Sequence, residues 1–540
     1  MKYIFVTGGV MSSVGKGVST ASIGRILQSR GYRVQLVKCD MYVNIDAGTM
    51  RPTEHGEVFV GEDGIEADQD LGNYERFTDI TATRDNYITT GQVYQAVIDS
   101  ERSFGYEGED VEVVPDIPNE IIRRVNLAAR RARAEIVIIE IGGTVGEYQN
   151  ILFLEAIRML KLKHPQDVAL VLVSYLPIPK SVGEMKTKPT QYAARSLNAA
   201  GLQADFILCR AERRIDEPRR KKLAIFCGIP EGNAISAPDV ESIYEIPVNF
   251  EREGLSDKLL KKLDLKPRQR DLKNWQKLAR RIKGAGEPLK IGIVGKYFGT
   301  GDFTLADSYI SVIESIRHAA SALSRRPEIT WLNSEAYEKD RRALKELEQY
   351  QGIIVPGGFG SRGVEGKIRA IQYAREKKIP YFGLCYGMQL ATVEFARHVC
   401  GLKDAHTTEI NPKTKHPVIH LMPEQLKHLA RKLYGATMRL GAYPAKLEKD
   451  SLVAKAYGFT RISERHRHRY EFNNDYRARL EKKGMRFSGN SPDGELVEII
   501  ELKDHPFFVG VQFHPEFKSR PLAPHPLFLA FARAGIANRK

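Results

Sequence analysis

Over its first 280 positions the chain places apolar residues in short unbroken runs and not in strict alternation. Runs such as KYIFVTGG (2–9), YRVQLVK (32–38), EIVIIEIGG (135–143), VALVLVSY (168–175) and ADFILCR (204–210) are β-branched and end in polar or glycine-rich loops. Strands buried on both faces have this texture. The stretches between them, beginning with Lys16 to about Ser29, have helical character, so a parallel, doubly wound sheet is predicted, with ligands at the carboxyl ends of its strands. Around residues 266–289 the pattern breaks into KPRQRDLKNWQKLARRIKGAGEP, a charged helix that stops in Gly-Ala-Gly-Glu-Pro. A second α/β series follows: LKIGIVGKY, QGIIVPGGFG, IPYFGLCYGMQLA and PFFVGVQFHPEF. The expected fold is α/β with two doubly wound domains, residues 1–266 and 290–540, joined by a linker helix over 267–289.

Composition narrows the class. A chain of 540 residues exceeds one ordinary core, and 42% hydrophobic with 28% charged residues suits a globular protein. No apolar run approaches the roughly 20 residues that span a bilayer, and MKYIFVTGG reads as a strand feeding a glycine loop, not a signal peptide. The five cysteines form no C-x-x-C pair, which argues against a disulfide framework or zinc cluster and for a cytoplasmic setting. The net charge of +15 is mostly interleaved with acids, as in RAERRIDEPRRKK. Without a nucleic-acid motif, it is explained by small polyanions such as nucleoside triphosphates, and neither nucleic acid nor membrane is expected as partner.

The loop VTGGVMSSVGKGVST (6–20) is close to a phosphate loop, G-x-x-x-x-G-K-[ST], in which backbone N–H groups and a Lys hold phosphate and a hydroxyl holds Mg²⁺. Five residues separate Gly9 from Gly15, and Gly17 stands where the hydroxyl belongs. A metal here needs other oxygen ligands. Glu140, the one acid at the end of the hydrophobic strand IVIIEIGG, is a candidate. Asp70, in EADQDLGNYERF, is another, with Asp68 nearly as good. In the second half, FGLCYGMQ puts Cys385 in G-x-C-x-G between a strand and a helix. That is a cysteine form of the nucleophile elbow, and a helix N-terminus favours its thiolate. GVQFHPEF supplies His514 and Glu516, two apart on what reads as a strand and so on one face, suited to a base and its orienting carboxylate. Gly357 and Gly358 in VPGGFGSRG offer backbone for oxyanion N–H donors.

Cys385, His514 and Glu516 in these contexts resemble the class I glutamine amidotransferases, which release ammonia from glutamine. The resemblance implies a glutamine pocket lined by Gly358, Tyr386, Gly387, Met388, Gln389, Glu409 and Arg469, with Tyr386 replacing the usual Leu. A longer set, GGVMSSVGKG, GTMRPTEHGEVFV, DLGNYERF, EIGGTVGE, KTKPTQ, SIYEIP, TMRLGAYP, RHRHRYE and FHPEF, is similar to the CTP synthase family over nearly the whole chain. By that resemblance the first domain is a P-loop-like amidoligase that aminates UTP at the expense of ATP. Mg²⁺ would sit on Asp70 and Glu140. ATP would lie on Ser13, Val14, Gly15, Lys16, Gly17, Val18, Lys38 and Asp70, with Pro238, Asp239 and Val240 against adenine. Ser12, Lys186, Thr187, Lys188, Pro189, Thr190, Gln191 and Lys222 would hold UTP. Glu147, Tyr148 and Gln149 would form the segment where CTP binds as feedback inhibitor. The resemblance further implies activation by GTP, a homotetramer, and filaments as a further assembly.

Chemistry supports such a coupling, because a uracil O4 is a poor leaving group until phosphorylated. The sequence departs from the family's pattern at Met41, Arg51, Glu147 and Gln149. Two rivals share parts of the pattern. Other ATP-dependent glutamine amidoligases, such as cobyrinate diamide synthases, lack KTKPTQ and HGEVFV. Partition-type switch ATPases carry an extra Lys before the loop glycines, where this chain has Val6-Thr7.

Overall fold

The structure is a computed structural model and describes residues 1–295, 299–300, 303–304, 306–358, 360–422, 425 and 435–538. It divides into two compact units: residues 1–47 with 70–280, and residues 48–69 with 281–540. The division falls inside the helix Lys273–Lys283, within the span read as a linker. Segment Gly48–Gln69 lies early in the chain yet belongs to the second unit. Its short hairpin, Phe59–Val60 against Glu66–Ala67, buries Phe59 and Val60. Among the described residues no helix is long and apolar enough to cross a membrane.

In the first unit the apolar runs become β1 (Lys2–Gly9), β2 (Val34–Asp40), β3 (Tyr87–Thr89), β4 (Ile136–Ile141), β5 (Val168–Tyr175), β6 (Phe206–Ala211) and β7 (Ala234–Pro238). They pair in the order β3-β2-β4-β1-β5-β6-β7, every pair parallel. Helices α1 (Lys16–Ser29), α2 (Asp70–Phe77), α3 (Lys188–Ala199) and α4 (Glu217–Cys227) follow strands or loops at their carboxyl ends. Because β1 is central, the loop it feeds sits mid-sheet, where ligands of such folds bind.

The second unit has a nine-stranded sheet. Its strands are β8 (Pro288–Gly295), β9 (Arg326–Asn333), β10 (Gly352–Val355), β11 (Tyr381–Leu384), β12 (Arg439–Leu447), β13 (Arg461–His468), β14 (Met485–Asn490), β15 (Val497–Leu502) and β16 (Phe508–Val511). The order is β9-β8-β10-β11-β16-β15-β14-β12-β13. The first five are parallel and the rest antiparallel. Its longer helices among the described residues are α5 (Ile310–Ala322), α6 (Val364–Glu376), α7 (Tyr386–His398) and α8 (Pro526–Ala537). Strands β11 and β16 lie side by side, which brings Cys385 and His514, far apart in sequence, to the same end of the sheet.

Candidate active sites

In the first unit β1 ends in a loop with Val10, Ser13 and Gly15 at positive φ, and Gly15 is the left-handed N-cap of α1. Helix α1 carries no acid in its first turn, so its N-terminus keeps the partial positive charge that favours phosphate. Lys16 Nζ donates to the Gly143 carbonyl at 2.8 Å, and burial pulls its pKa down against the pull of Glu140. Lys38 Nζ donates to Asp70 Oδ2 at 2.5 Å and to Glu140 Oε1 at 2.9 Å. Asn73 also donates to Asp70, and the Tyr74 hydroxyl to Glu140.

The missing hydroxyl has a structural counterpart. A Cβ on Gly17 would lie 1.7 Å from Asp70 Oδ1. The carboxylate fills the space that a Ser or Thr would take, so the loop has glycine there because Asp70 is there. Sequence left Asp68 and Asp70 open; the structure brings Asp70 to Lys38 and Glu140, while Asp68 faces His55 at 3.7 Å. Burial works to raise the Asp70 pKa, but the charge and hydrogen bond of Lys38 outweigh it and hold the group at about 2. Burial and the Asp70 charge push Glu140 up to about 7. A buried carboxyl and a half-buried one with a lysine between them, at the mouth of a phosphate loop, are a donor set that fits a hard divalent cation.

Beside the loop a cavity of about 240 Å³ is lined by Gly15, Val18, Arg210, Pro238, Asp239 and Val240. It unites the loop with the segment expected against adenine. Arg210, which sequence reasoning missed, donates to Asp239 at 2.9 Å; only its place at the end of β6 could have flagged it. The residues expected on UTP are more scattered. Thr187 caps α3, Gln191 donates to Thr187, and Thr190 is buried against Ser174. Lys186 pairs with Glu184, Lys188 lies over Phe226, and Lys222 is exposed on α4, which packs against α3. Ser12, Tyr148 and Gln149 are exposed, whereas the Glu147 carboxylate accepts from both the N–H and the hydroxyl of Thr144.

In the second unit the elbow is strained as a nucleophile turn should be. Cys385 has φ 49° and ψ −98° between β11 and α7. A Cβ on Gly383 would lie 2.7 Å from the Gly387 carbonyl carbon, and one on Gly387 would lie 2.1 Å from the Val355 oxygen, so larger residues are excluded at both. The thiol donates to the Arg467 carbonyl at 3.8 Å and accepts from Gln512 Nε2 at 3.6 Å. His514 Nδ1 meets Glu516 Oε1 at 2.7 Å, and Nε2 has no hydrogen-bond partner among the described residues. Gly357 packs against both: a Cβ there would be 2.9 Å from the His514 ring and 3.8 Å from the Cys385 Cβ. Burial lowers the imidazole pKa, yet the charges of Glu516 and Cys385 overcome it and raise His514 to about 10.

These groups share a cavity of about 410 Å³ with Gly357, Gly358, Glu409, Arg469 and Tyr470. Glu409 accepts the Gly360 N–H at 2.9 Å, and Arg469 donates to Gln425. One premise fails. β16 ends at Val511, and His514 is the N-cap of a short 3₁₀ turn, Pro515–Lys518, so His514 and Glu516 meet through that turn and not through strand alternation. Of the run expected to line the pocket, none of Tyr386, Gly387, Met388 and Gln389 is among the lining residues. Tyr386 and Met388 are core side chains, and Gln389 donates to the Tyr470 carbonyl. Sequence reasoning missed Tyr470 and Gln512, and also Glu57 and Val58 of the early segment, which line the same cavity or touch the thiol.

The profile of the CTP synthase N-terminus matches residues 2–265, and that of class-I glutamine amidotransferase matches residues 304–534. The CTP synthase of Carboxydothermus hydrogenoformans is 51% identical over 540 residues, covering 100% of this chain and 99% of its own. That of Thermosynechococcus vestitus is 51% identical over 541 residues, covering 99% and 97%. The chain belongs to the CTP synthase family. Like that family it is a glutamine-hydrolysing, ATP-dependent ligase that converts UTP to CTP. Among solved structures, a Trypanosoma brucei CTP synthase glutaminase domain with bound acivicin is 40% identical, covering 47% of this chain and 95% of that one, with a TM-score of 0.43. Neither another glutamine amidoligase nor a partition-type switch ATPase is favoured, because the first half matches the CTP synthase N-terminus itself and full-length CTP synthases match the whole chain.

Proposed function

We propose that the two halves divide this reaction as their sites suggest. In residues 290–540, Cys385 attacks the side-chain amide of glutamine. N–H donors around Gly357 and Gly358, and at the start of α7, stabilise the oxyanion. His514, held by Glu516, gives its proton to the departing ammonia, and water then cleaves the thioester to glutamate. Glu409 and Arg469 bind the amino-acid end of glutamine.

In residues 1–266, ATP lies on Ser13–Val18 with adenine near Pro238–Val240, and UTP lies along Ser12, Lys186–Gln191 and Lys222. Lys16 and Lys38 take up phosphate charge. Asp70 and Glu140 would hold Mg²⁺, which when bound neutralises charge on the transferring phosphoryl group. The UTP O4 bonds to the γ-phosphorus as the bond to ADP breaks. Ammonia adds at C4, inorganic phosphate leaves, and a proton is released. Feedback by CTP at Glu147–Gln149, activation by GTP, a homotetramer able to form filaments, and a cytoplasmic location complete the proposal.

The observation that supports the metal and phosphate roles best is the Asp70 carboxylate seated over Gly17. The test supplies UTP, ATP and Mg²⁺ with ammonium or with glutamine. Cys385→Ala should keep the ammonium reaction and lose the glutamine reaction by about 10⁵-fold. UTP labelled with ¹⁸O at C4 should deliver its label to inorganic phosphate. Label in bulk water, or glutamine turnover surviving in Cys385→Ala, would refute the division of roles.

A further inference from the structure

Strand β13 touches both catalytic residues of the second unit through its backbone. The Arg465 carbonyl accepts the backbone N–H of His514 at 2.8 Å, and the Arg467 carbonyl accepts the Cys385 thiol at 3.8 Å. The side chains of the same two arginines reach the early segment of that unit. Arg467 Nε donates to Glu66 Oε1 at 2.7 Å. Arg465 Nε donates to Glu62 Oε2 at 2.9 Å, and its Nη1 to the Val60 carbonyl at 3.1 Å.

The first pair is buried, with Glu66 0% and Arg467 14% exposed, whereas the second joins a buried Arg465 (1%) to a Glu62 that is 36% exposed. Glu66 is also wedged, since a Cβ on Gly48 would lie 2.2 Å from its Oε2. Arg467 gives a second, longer bond to the Gly48 carbonyl. Burying a carboxylate and a guanidinium is costly, and such a pair is often no more stable than apolar packing. What it does provide is direction: the Arg467 guanidinium is tied at two points, by Nε to Glu66 and by Nη2 to the Gly48 carbonyl, and that restrains the side chain and the strand that carries it.

We propose that Glu66 is a positioning residue for glutamine hydrolysis: through Arg467 it fixes the carbonyl that orients the Cys385 thiol, and Glu62 acts likewise through Arg465 on His514. The role deepens the proposed use of Cys385 and rests on it. Sub-ångström placement of a nucleophile is worth orders of magnitude in rate, so a residue that never touches substrate can set kcat.

The test uses the full-length protein with Glu66→Gln, Glu66→Asp and Glu62→Gln. Glutamine hydrolysis, ammonium-dependent CTP formation, thermal melting and iodoacetamide alkylation of Cys385 are measured for each, with Cys385→Ala as the blank for the other cysteines. In Glu66→Gln, kcat for glutamine should fall about tenfold with KM within about twofold, the pattern of a lost transition-state alignment. Cys385 alkylation should slow in parallel, and ammonium-dependent CTP formation should be unchanged. Glu66→Asp, which keeps the charge, should recover part of kcat, and Glu62→Gln should show a smaller loss of the same kind. Unchanged kcat and alkylation in Glu66→Gln would overturn the proposal. So would an equal loss of the ammonium reaction and of melting temperature. If Glu66→Gln does not fold, Glu66→Asp and Glu62→Gln decide by the same two readouts. Glutamine turnover persisting in Cys385→Ala would instead break the underlying assignment of the nucleophile.

Discussion

Gly17 and Gly387 hold equivalent places in the two units, each in the first turn of the helix that follows a glycine-rich strand end, and each leaves no room for a side chain. What blocks them differs. Over Gly17 the obstruction is the Asp70 carboxylate, 1.7 Å from a would-be Cβ and itself bonded to Lys38. Over Gly387 it is the Val355 carbonyl, 2.1 Å away and part of β10. The first site is therefore organised by charge, with acids and lysines that neutralise one another and can re-pair around phosphates. The second is organised by backbone, which fixes a strained cysteine before any ligand arrives. Phosphoryl transfer depends on charge placement, and covalent catalysis on a nucleophile already aimed.

That contrast gives opposite lesions. Gly387→Ala should push the start of α7 away from β10 at the elbow and cut glutamine hydrolysis by about 10⁴-fold, since misplacement by 1 Å alone costs about 10²-fold. Ammonium-dependent CTP formation should persist, and the overpacking should cost about 1–3 kcal/mol of stability in a denaturant titration. Gly17→Ala should displace the Asp70 side chain and cut CTP formation from either nitrogen source by about 10³-fold. Its glutamine hydrolysis should continue. A loss of both activities in both variants would erase the distinction between the sites.

A smaller effect probes charge within the backbone-built site. His514 is raised from an ordinary 6.5 to about 10 in the fold: burial opposes the rise, and Glu516 and Cys385 drive it. A group raised on folding stabilises fully below its unfolded value and loses that contribution as pH climbs through its folded one. Stability should therefore decline between pH 6.5 and about 10. Glu516→Gln should cut glutamine turnover by about 10²-fold and draw that decline toward the lower end of the window, read by melting temperature against pH. A melting profile identical to that of the parent would show that the carboxylate does not support the charge.

Much of this was legible beforehand, for reasons that differ by element. Every strand of the parallel sheet cited from sequence, KYIFVTGG through ADFILCR, was visible because burial on both faces leaves an unbroken apolar run. G-x-C-x-G was visible because each glycine meets backbone. The membership of residues 48–69 in the second unit was not, since nothing in a local pattern says which core Phe59 will enter. Period-two spacing suggested a strand at His514, but Pro515 opens a 3₁₀ turn there and the pair meets all the same. Tyr386 and Met388 face the core because the helix that starts at the nucleophile must also pack against the sheet, which a motif of consecutive residues cannot express.

Tyr386 tests the finest grain of the comparison, whether the oxyanion loop is held by geometry alone. Its hydroxyl donates to the Gly360 carbonyl at 3.3 Å while Glu409 accepts the Gly360 N–H at 2.9 Å, so Gly360 is held through both of its backbone polar groups. The ring also lies 5.4 Å from the buried Lys367 ammonium. Tyr386→Phe keeps the ring and removes one long hydrogen bond, a loss of about 0.5–1 kcal/mol, and should lower kcat/KM for glutamine about threefold with the ammonium reaction intact. Tyr386→Leu also strips the aromatic face from a buried cation, which is worth about 1–2 kcal/mol when desolvated, and should lower melting temperature where Tyr386→Phe does not. Equal melting temperatures in the two variants would mean that the aromatic face does not stabilise Lys367, and an unchanged kcat/KM in Tyr386→Phe would mean that the grip on Gly360 rests with Glu409.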